Sequence, residues 1–337
     1  MRIGVMTGGG DSSGINAVLR TIVTQADRNG DEVYGILRGW EGLLLGNLKR
    51  LTLENTAHIM YTGGTMIGSS RTNLFKIENG FDIALGVADK FNLDAIIAIG
   101  GDDTLGVADH FCSLGLKAVG LPQTIDNDVG GTDYCIGFDT AVTRIVEDIR
   151  SLKTTCASHG QDVVVEAMGR ETGWLAAVSG LITEAEAIVI PEMTISFDTV
   201  VAKIADAHQK GNNGCVIVVA EGCELEGCER IEQVVDAFGH KKLAGIGYGL
   251  RDQLQRALGS TIRCHIMGYV ARGGDATAYE VTRSVEFGRE AYRMVKSGGF
   301  GKLIGYRNGR TMDTDLEEVR IKRFVTAELI ERITELY

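Results

Sequence analysis

Two prolines in 337 residues, no CxxC pair and no long apolar run are what this sequence most conspicuously lacks. The longest apolar stretches, such as Ala95–Gly100 and Ala187–Pro191, are far too short to span a bilayer. The start, Met1-Arg2-Ile3-Gly4-Val5-Met6, reads straight into a strand and has no signal-peptide layout. Seven cysteines (112, 135, 156, 215, 223, 228 and 264) are scattered without an even framework. Buried thiols in a reducing cytoplasm are therefore expected, rather than disulfides or metal ligands. Cationic excess is missing too: the net charge of −11 argues against a nucleic-acid or membrane partner. Any anionic substrate must be held by local Arg, Lys and backbone N–H groups.

Glycine is abundant, at 45 residues, about twice the usual share. The glycines cluster at 8–10, 63–64, 100–101, 130–131 and 273–274, mostly where apolar runs end. Short β-branched runs alternate with segments of helical period. Strands are read at Ile3–Thr7, Glu32–Leu37, Ala95–Ile99, Lys117–Leu121, Val163–Ala167, Ile188–Ile190, Val216–Ala220 and Lys302–Tyr306. Helices are read at Ile15–Asn29, Ala84–Phe91, Leu105–Leu114, Thr140–Leu152, Trp174–Glu184, Thr199–Gln209 and Tyr279–Lys296, and from about Thr326 onward. Gly222–Ser260 reads as two further helices. This alternation predicts an α/β fold of parallel sheets covered by helices. The length favours two domains, which, with no low-complexity linker, are expected to meet across a cleft and share crossing segments.

Ligands of open α/β sheets gather beyond the carboxyl ends of the strands, and the motifs here are read at such ends. Gly8-Gly9-Gly10-Asp11-Ser12-Ser13-Gly14 opens the first long helix, where backbone N–H groups can converge on a phosphate. It is neither a Walker A loop nor a GxGxxG fingerprint, and a plain strand-to-helix turn would also use these glycines. Gly63-Gly64-Thr65 and Gly68-Ser69-Ser70-Arg71 form a second loop ending in a cation suited to bridging phosphates. Gly100-Gly101-Asp102-Asp103-Thr104 sets two acids at a turn, more than a helix cap needs, and suggests Mg2+. In Pro122-Gln123-Thr124-Ile125-Asp126-Asn127-Asp128, an extended backbone would place Thr124, Asp126 and Asp128 on one face. One carboxylate could then take the proton of an attacking hydroxyl. Met168-Gly169-Arg170 and Glu221 end later strands, and Arg263 and Arg272 bracket another.

Together these motifs resemble the phosphofructokinase family in order and spacing, from Ile3 to about Gly309. The resemblance implies two Rossmann-like three-layer domains with mainly parallel sheets, and Mg2+-dependent phosphoryl transfer to the 1-hydroxyl of fructose 6-phosphate. It implies that Asp126 is the base, Asp128 its support, Thr124 a positioning group, Arg71 a stabiliser of the transition state and Asp102 the metal residue. Gly10, Trp40, Asp103, Thr104 and Gln123 fall on the donor side. Met168, Gly169, Arg170, Glu221, Arg263, Arg272, Gln161 and Tyr269 fall at sugar-phosphate positions. Residues 1–137 plus 271–314 would form the donor domain, and 138–270 plus 315–337 the sugar-phosphate domain. A cytoplasmic homodimer or homotetramer is implied, with Arg263 and Gln161 serving a neighbour's site.

Asp103 stands where ATP-using members of that family typically carry Gly. A carboxylate there opposes an α-phosphate, so pyrophosphate is the expected donor. Gln123 stands where pyrophosphate-using members usually carry Lys, which predicts weaker donor affinity and keeps ATP as the alternative. Gln161 and Tyr269 replace a usual Arg and His, leaving another sugar, sugar phosphate or polyol as a possible acceptor. Arg20, Lys153 and Lys210 fall at the family's effector pocket, but Thr24, Leu53 and Asn212 replace basic residues there, so regulation is expected to be reduced. Outside kinases, a dinucleotide-dependent dehydrogenase and a catalytically silent sugar-phosphate sensor are the competing readings.

Overall fold

A computed structural model of the protein describes residues 1–212, 214–225 and 246–337, with the backbone of 234–235 and 241–242. In chain order the elements begin with β1 (Arg2–Thr7), α1 (Ile15–Arg28), β2 (Glu32–Ile36), α2 (Trp40–Leu45) and β3 (Leu48–Leu51). Next come α3 (Gly80–Lys90), β4 (Ala95–Gly100), α4 (Asp102–Ser113), β5 (Ala118–Pro122), α5 (Phe138–His159) and β6 (Asp162–Ala167). They continue with α6 (Trp174–Ile182), β7 (Ala187–Val189), α7 (Phe197–Gln209), β8 (Val216–Ala220), β9 (Val234–Val235) and β10 (Lys241–Lys242). The last are α8 (Ile246–Leu258), β11 (Ile262–Ile266), α9 (Ala278–Ser297), β12 (Lys302–Arg307), β13 (Arg310–Asp315) and α10 (Ala327–Thr334). The chain divides into two compact units, Met1–Thr140 with Arg272–Lys322, and Ala141–Ala271 with Arg323–Tyr337.

Successive side chains of a strand point to opposite faces, and β1 and β4 use both. Ile3, Val5, Ala95, Ile97 and Ile99 pack with Val18, Leu19 and Ile22 of α1 and Phe287 and Ala291 of α9. Met6, Ile96 and Ala98 join Trp40, Leu43, Leu105 and Phe111 in a second core cluster. Helices covering both faces are what a parallel sheet needs. The first unit's seven strands run in the order β13-β12-β5-β4-β1-β2-β3. The five inner strands are parallel, while the edge strands β3 and β13 are antiparallel to their neighbours.

The second unit holds a parallel four-stranded sheet, β11-β6-β8-β7. At its amino end the buried Asp162 accepts hydrogen bonds from the Cys215 backbone N–H at 2.9 Å and from His208 Nε2 at 3.1 Å, tying β6, β8 and α7 together. The six described cysteines are free thiols, and burial pushes that of Cys215 up to about 12. Cys228 lies outside the described residues. Of the two helices read in Gly222–Ser260 the second is α8, whereas the described parts before it hold the antiparallel pair β9 and β10, the rest of that stretch lying outside the described residues. Arg263 and Arg272 do not bracket a strand. Arg263 lies within β11, while Arg272 ends a single-turn helix, Gly268–Arg272, that forms after β11 because Gly268 at φ 50° turns the chain. Among the described residues no helix is long and apolar enough to cross a membrane.

Candidate active site

In the first unit, β1, β4 and β5 are hydrogen-bonded in parallel, with Thr7 opposite Ile99 and Gly100 opposite Pro122. Their carboxyl ends therefore lie side by side, and the three segments beyond them share one edge of the sheet. Gly8 and Gly100 are glycines because Thr104 fills the space between them. A Cβ on Gly8 would lie 2.5 Å from Thr104 Oγ1, and one on Gly100 would lie 2.6 Å from Thr104 Cβ.

Side chains of the first strand and helix hold the second glycine loop in place. Asn16 donates through Nδ2 to the carbonyls of Thr62 (2.9 Å) and Gly63 (3.2 Å), and its Oδ1 accepts the Met66 N–H at 2.9 Å. Gly9 N–H donates to the Ser70 carbonyl at 3.0 Å, while Ser69 Oγ donates to the Gly9 carbonyl at 2.7 Å. Thr7 Oγ1 donates to the Gly68 carbonyl at 2.7 Å. Arg71 is exposed on this anchored loop. Arg272 reaches the first loop: a Cβ on Gly10 would sit 3.0 Å from its guanidinium carbon.

The run from Thr124 to Asp128 contains a turn, where the sequence reading supposed an extended segment. Asp126 N–H donates to Thr124 Oγ1 at 3.2 Å, and Asn127 takes a left-handed φ of 54°, which Asn tolerates better than most residues. The buried Asn127 fixes the loop by accepting the Cys135 N–H at 2.9 Å through Oδ1. Even so, Thr124, Asp126 and Asp128 are partly exposed, while Ile125, Asn127 and Val129 are buried. Burial, and next the charge of Asp126, raise the Asp128 carboxyl to about 7, with Lys322 pulling the other way. Lys322 Nζ lies 3.5 Å from Asp128 Oδ2 and 3.7 Å from Asp102 Oδ2. The N-cap of α4 is Gly101, so Asp102 and Asp103 occupy the first turn, where the helix dipole favours negative charge. Asp102 Oδ1 accepts the Asp103 N–H at 2.9 Å.

In the second unit, Met168-Gly169-Arg170 and Glu221 meet at the carboxyl ends of β6 and β8. The Glu221 N–H donates to the Ala167 carbonyl at 2.9 Å and the Gly222 N–H to the Gly169 carbonyl at 3.0 Å. Gly169 has φ 134°, a conformation L side chains rarely adopt. Gln161 and Arg263 form a pair of their own, with Arg263 Nε donating to Gln161 Oε1 at 2.9 Å. Within one chain they are not brought to Met168. The pair sits at the amino ends of β6 and β11, roughly 20 Å along the strands at about 3.3 Å per residue. Tyr269 is exposed.

Three residues read on the donor side are also engaged within the fold. Trp40 is 2% exposed, and its ring packs on Phe111 at 5.2 Å between centroids. Thr104 is the buried spacer between the glycine loops. Gln123 is buried, and its Nε2 is used internally, donating to the Gly10 carbonyl at 3.1 Å and Ser12 Oγ at 3.0 Å. Lys322, Asn16 and the buried Glu280 were not anticipated. Glu280 alone had a local signal, the Thr277-x-x-Glu280 pattern of a helix start.

Glycine loops closing the carboxyl edge of a parallel sheet around four carboxylates and two arginines define a phosphotransferase type of site. The Phosphofructokinase family model matches residues 2–295. The chain is 42% identical over 319 residues to the pyrophosphate--fructose 6-phosphate 1-phosphotransferase of Dictyoglomus thermophilum, covering 94% of this chain and 92% of that one. It is 41% identical over 324 residues to ATP-dependent 6-phosphofructokinase 3 of Streptomyces coelicolor, covering 95% and 94%. It matches the solved structure of phosphofructokinase from Saccharomyces cerevisiae with a TM-score of 0.83 at 31% identity, over 95% of this chain and 45% of the yeast chain. The chain thus spans less than half the length of the yeast chain. It belongs to the phosphofructokinase family.

Proposed function

We propose that this chain transfers a phosphoryl group from pyrophosphate to the 1-hydroxyl of fructose 6-phosphate, reversibly and with Mg2+, as a cytoplasmic glycolytic enzyme. The observation that carries the donor choice is Asp103 in the first turn of α4, next to Asp102. A helix N-terminus after a double glycine favours bound phosphate. At an effective dielectric of about 20, like charges about 4 Å apart repel by roughly 4 kcal/mol. An α-phosphate at Asp103 would meet that repulsion, and pyrophosphate has no third phosphate to meet it. The name of the Dictyoglomus relative supports the same donor.

In this reading Asp126 takes the proton of the 1-hydroxyl as that oxygen forms its bond to phosphorus. The bond from phosphorus to the bridging oxygen breaks, and its electron pair leaves with inorganic phosphate. Asp128 stands beside the base, Thr124 orients the hydroxyl, and Arg71 and Arg272 offset charge on the phosphates. Mg2+, when bound, neutralises charge on donor oxygens. The residues fit such an ion, because Mg2+ takes one or two carboxylates with phosphate and water oxygens, and the Asp102 side chain is 45% exposed. The first unit acts on the donor. Met168, Gly169, Arg170 and Glu221 of the second unit hold the sugar phosphate. Tyr269 faces the same site, and Gln161 and Arg263 serve it from a neighbouring subunit of a homodimer or homotetramer. Effector control is weak in this reading: Arg20 Nη1 is engaged by the Leu53 carbonyl at 2.6 Å, Lys153 Nζ by the Glu184 carbonyl at 2.7 Å, and Lys210 Nζ by Asp206 at 2.6 Å.

ATP is the second reading, favoured by the internally bonded, uncharged Gln123. Steady-state rates with pyrophosphate, ATP and ADP, each with Mg2+ and fructose 6-phosphate, decide between them. Turnover with pyrophosphate alone is expected, and turnover with ATP alone would overturn the argument from Asp103. Silence with every donor, with the sugar phosphate still bound, would favour a sensor.

A further inference from the structure

Lys322 belongs to none of the motifs, yet its ammonium stands between two of the site's carboxylates, 3.5 Å from Asp128 Oδ2 and 3.7 Å from Asp102 Oδ2. These separations are those of an ion pair and are longer than close hydrogen bonds. The segment leading to Lys322 is firmly held. The single-turn helix Leu316–Arg320 buries Leu316 and Val319. Arg320 pairs with Asp109 of α4 at 2.5 Å. A side chain at Gly130, just beyond the acidic run, would strike the backbone carbonyls of Glu318 and Ile321. The backbone is thus laid against both α4 and the end of the acidic run, while the Lys322 side chain is 21% exposed and carries its charge on a flexible stem.

Asp102, Asp103, Asp126 and Asp128 place four carboxyl groups at one sheet edge that must receive a polyanion. Gln123 adds no charge there. We propose that Lys322 is a cationic residue of the donor site, pairing with Asp102 and Asp128 in the absence of donor and turning to the donor's phosphate oxygens when Mg2+ takes those carboxylates. This inference rests on reading Asp102 and Asp128 as donor-side groups. It makes two effects of opposite sign depend on one charge. The ammonium competes with a divalent ion for the carboxylates, and it attracts the phosphates once the ion is in place.

The test compares Lys322→Met and Lys322→Arg with the full-length wild-type protein. Mn2+ binding without donor is read by electron paramagnetic resonance, and KM is measured separately for donor and sugar phosphate. Lys322→Met should bind Mn2+ about tenfold more tightly while its donor KM rises about tenfold or more. Its sugar-phosphate KM should stay within about twofold, and Lys322→Arg should restore most of the donor KM. An unchanged Mn2+ affinity, an unchanged donor KM, or an Arg variant as impaired as the Met variant would each overturn the proposal. If the wild type uses ATP and not pyrophosphate, the donor choice above fails, and Lys322 is judged by the same variants with ATP. The Mn2+ result depends on neither donor.

Discussion

Replacing Glu280 tests whether one buried carboxylate ties the start of α9 to the segment 137–140 within the first unit. Glu280 is fully buried in the first turn of α9, where Thr277 Oγ1 accepts its N–H at 3.1 Å. Its own carboxylate reaches away from α9 to the start of α5. There it accepts the N–H of Gly137 at 2.9 Å, the N–H of Thr140 at 3.3 Å and the hydroxyl of Thr140 at 3.4 Å. Alanine would leave two buried N–H groups unpaired, at about 1–3 kcal/mol each, and would remove packed methylenes worth about 1 kcal/mol. Partial entry of water offsets some of this, so a loss of about 4 kcal/mol is expected for Glu280→Ala, a large share of the roughly 5–15 kcal/mol typical of a domain. A pH signature accompanies the loss. Burial raises the Glu280 carboxyl from 4.5 to about 7, against the donors that lower it. A folded pKa above the unfolded value contributes stability that is complete below about 4.5 and is lost as pH rises through about 7. The Glu280→Gln variant has no such titration, so the wild type's advantage over it should shrink between pH 5 and pH 8. Urea melts of all three proteins at pH 5, 6, 7 and 8 measure both effects. An alanine variant within about 1 kcal/mol of wild type, below even one unpaired N–H, would refute the reasoning.

Asp126→Asn should lower kcat by about a thousandfold, the scale of general-base catalysis, with sugar-phosphate affinity by calorimetry nearly unchanged; wild-type rates would remove the proposed base. Because burial and the neighbouring Asp126 charge raise Asp128 to about 7 in the metal-free site, kcat/KM at sub-saturating Mg2+ should be level above that pH and fall below it as the carboxylate takes a proton. A rate profile flat down to pH 5 counts against an ionised Asp128. Gly8→Ala should cost about 2 kcal/mol by overpacking against Thr104 Oγ1, 2.5 Å away, and Thr104→Ala in the same chain should recover about half in a double-mutant cycle by thermal melting.

The inner strands were legible because a parallel strand buried on both faces is a continuous apolar run. Ala95–Gly100 and Val216–Ala220 are entirely buried and read as such. The edge strands carry no such run. Leu48-Lys49-Arg50-Leu51 exposes its two cations, and Arg310-Thr311-Met312-Asp313-Thr314-Asp315 is mostly polar, so β3 and β13 escaped notice. Pairing with a neighbour, and not local pattern, makes them strands. The six-residue α2 was missed because it is too short to show a helical period.

At the site, legibility depends on sequence distance. Gly8, Gly100 and Gly169 could be read because backbone geometry and close packing at a strand end leave no room for another residue, and that requirement marks the sequence locally. The partners of Gln123 and Glu280 could not. Gln123 Nε2 is bonded to residues 113 and 111 positions away, and Glu280 to backbone 143 and 140 positions away. A residue's type tells what it can donate or accept, not which distant group the fold presents to it. That is why the brace that Gln123 Nε2 makes to the Gly10 loop could not be read from its type. It is also why Lys322, which looks like any charge near a chain end, lies between Asp102 and Asp128. Asp103 lies beside Asp102 in the first turn of α4, so the pairing of these acids was legible, whereas the charge that answers Asp102 and Asp128 comes from a segment folded back from the far end of the chain.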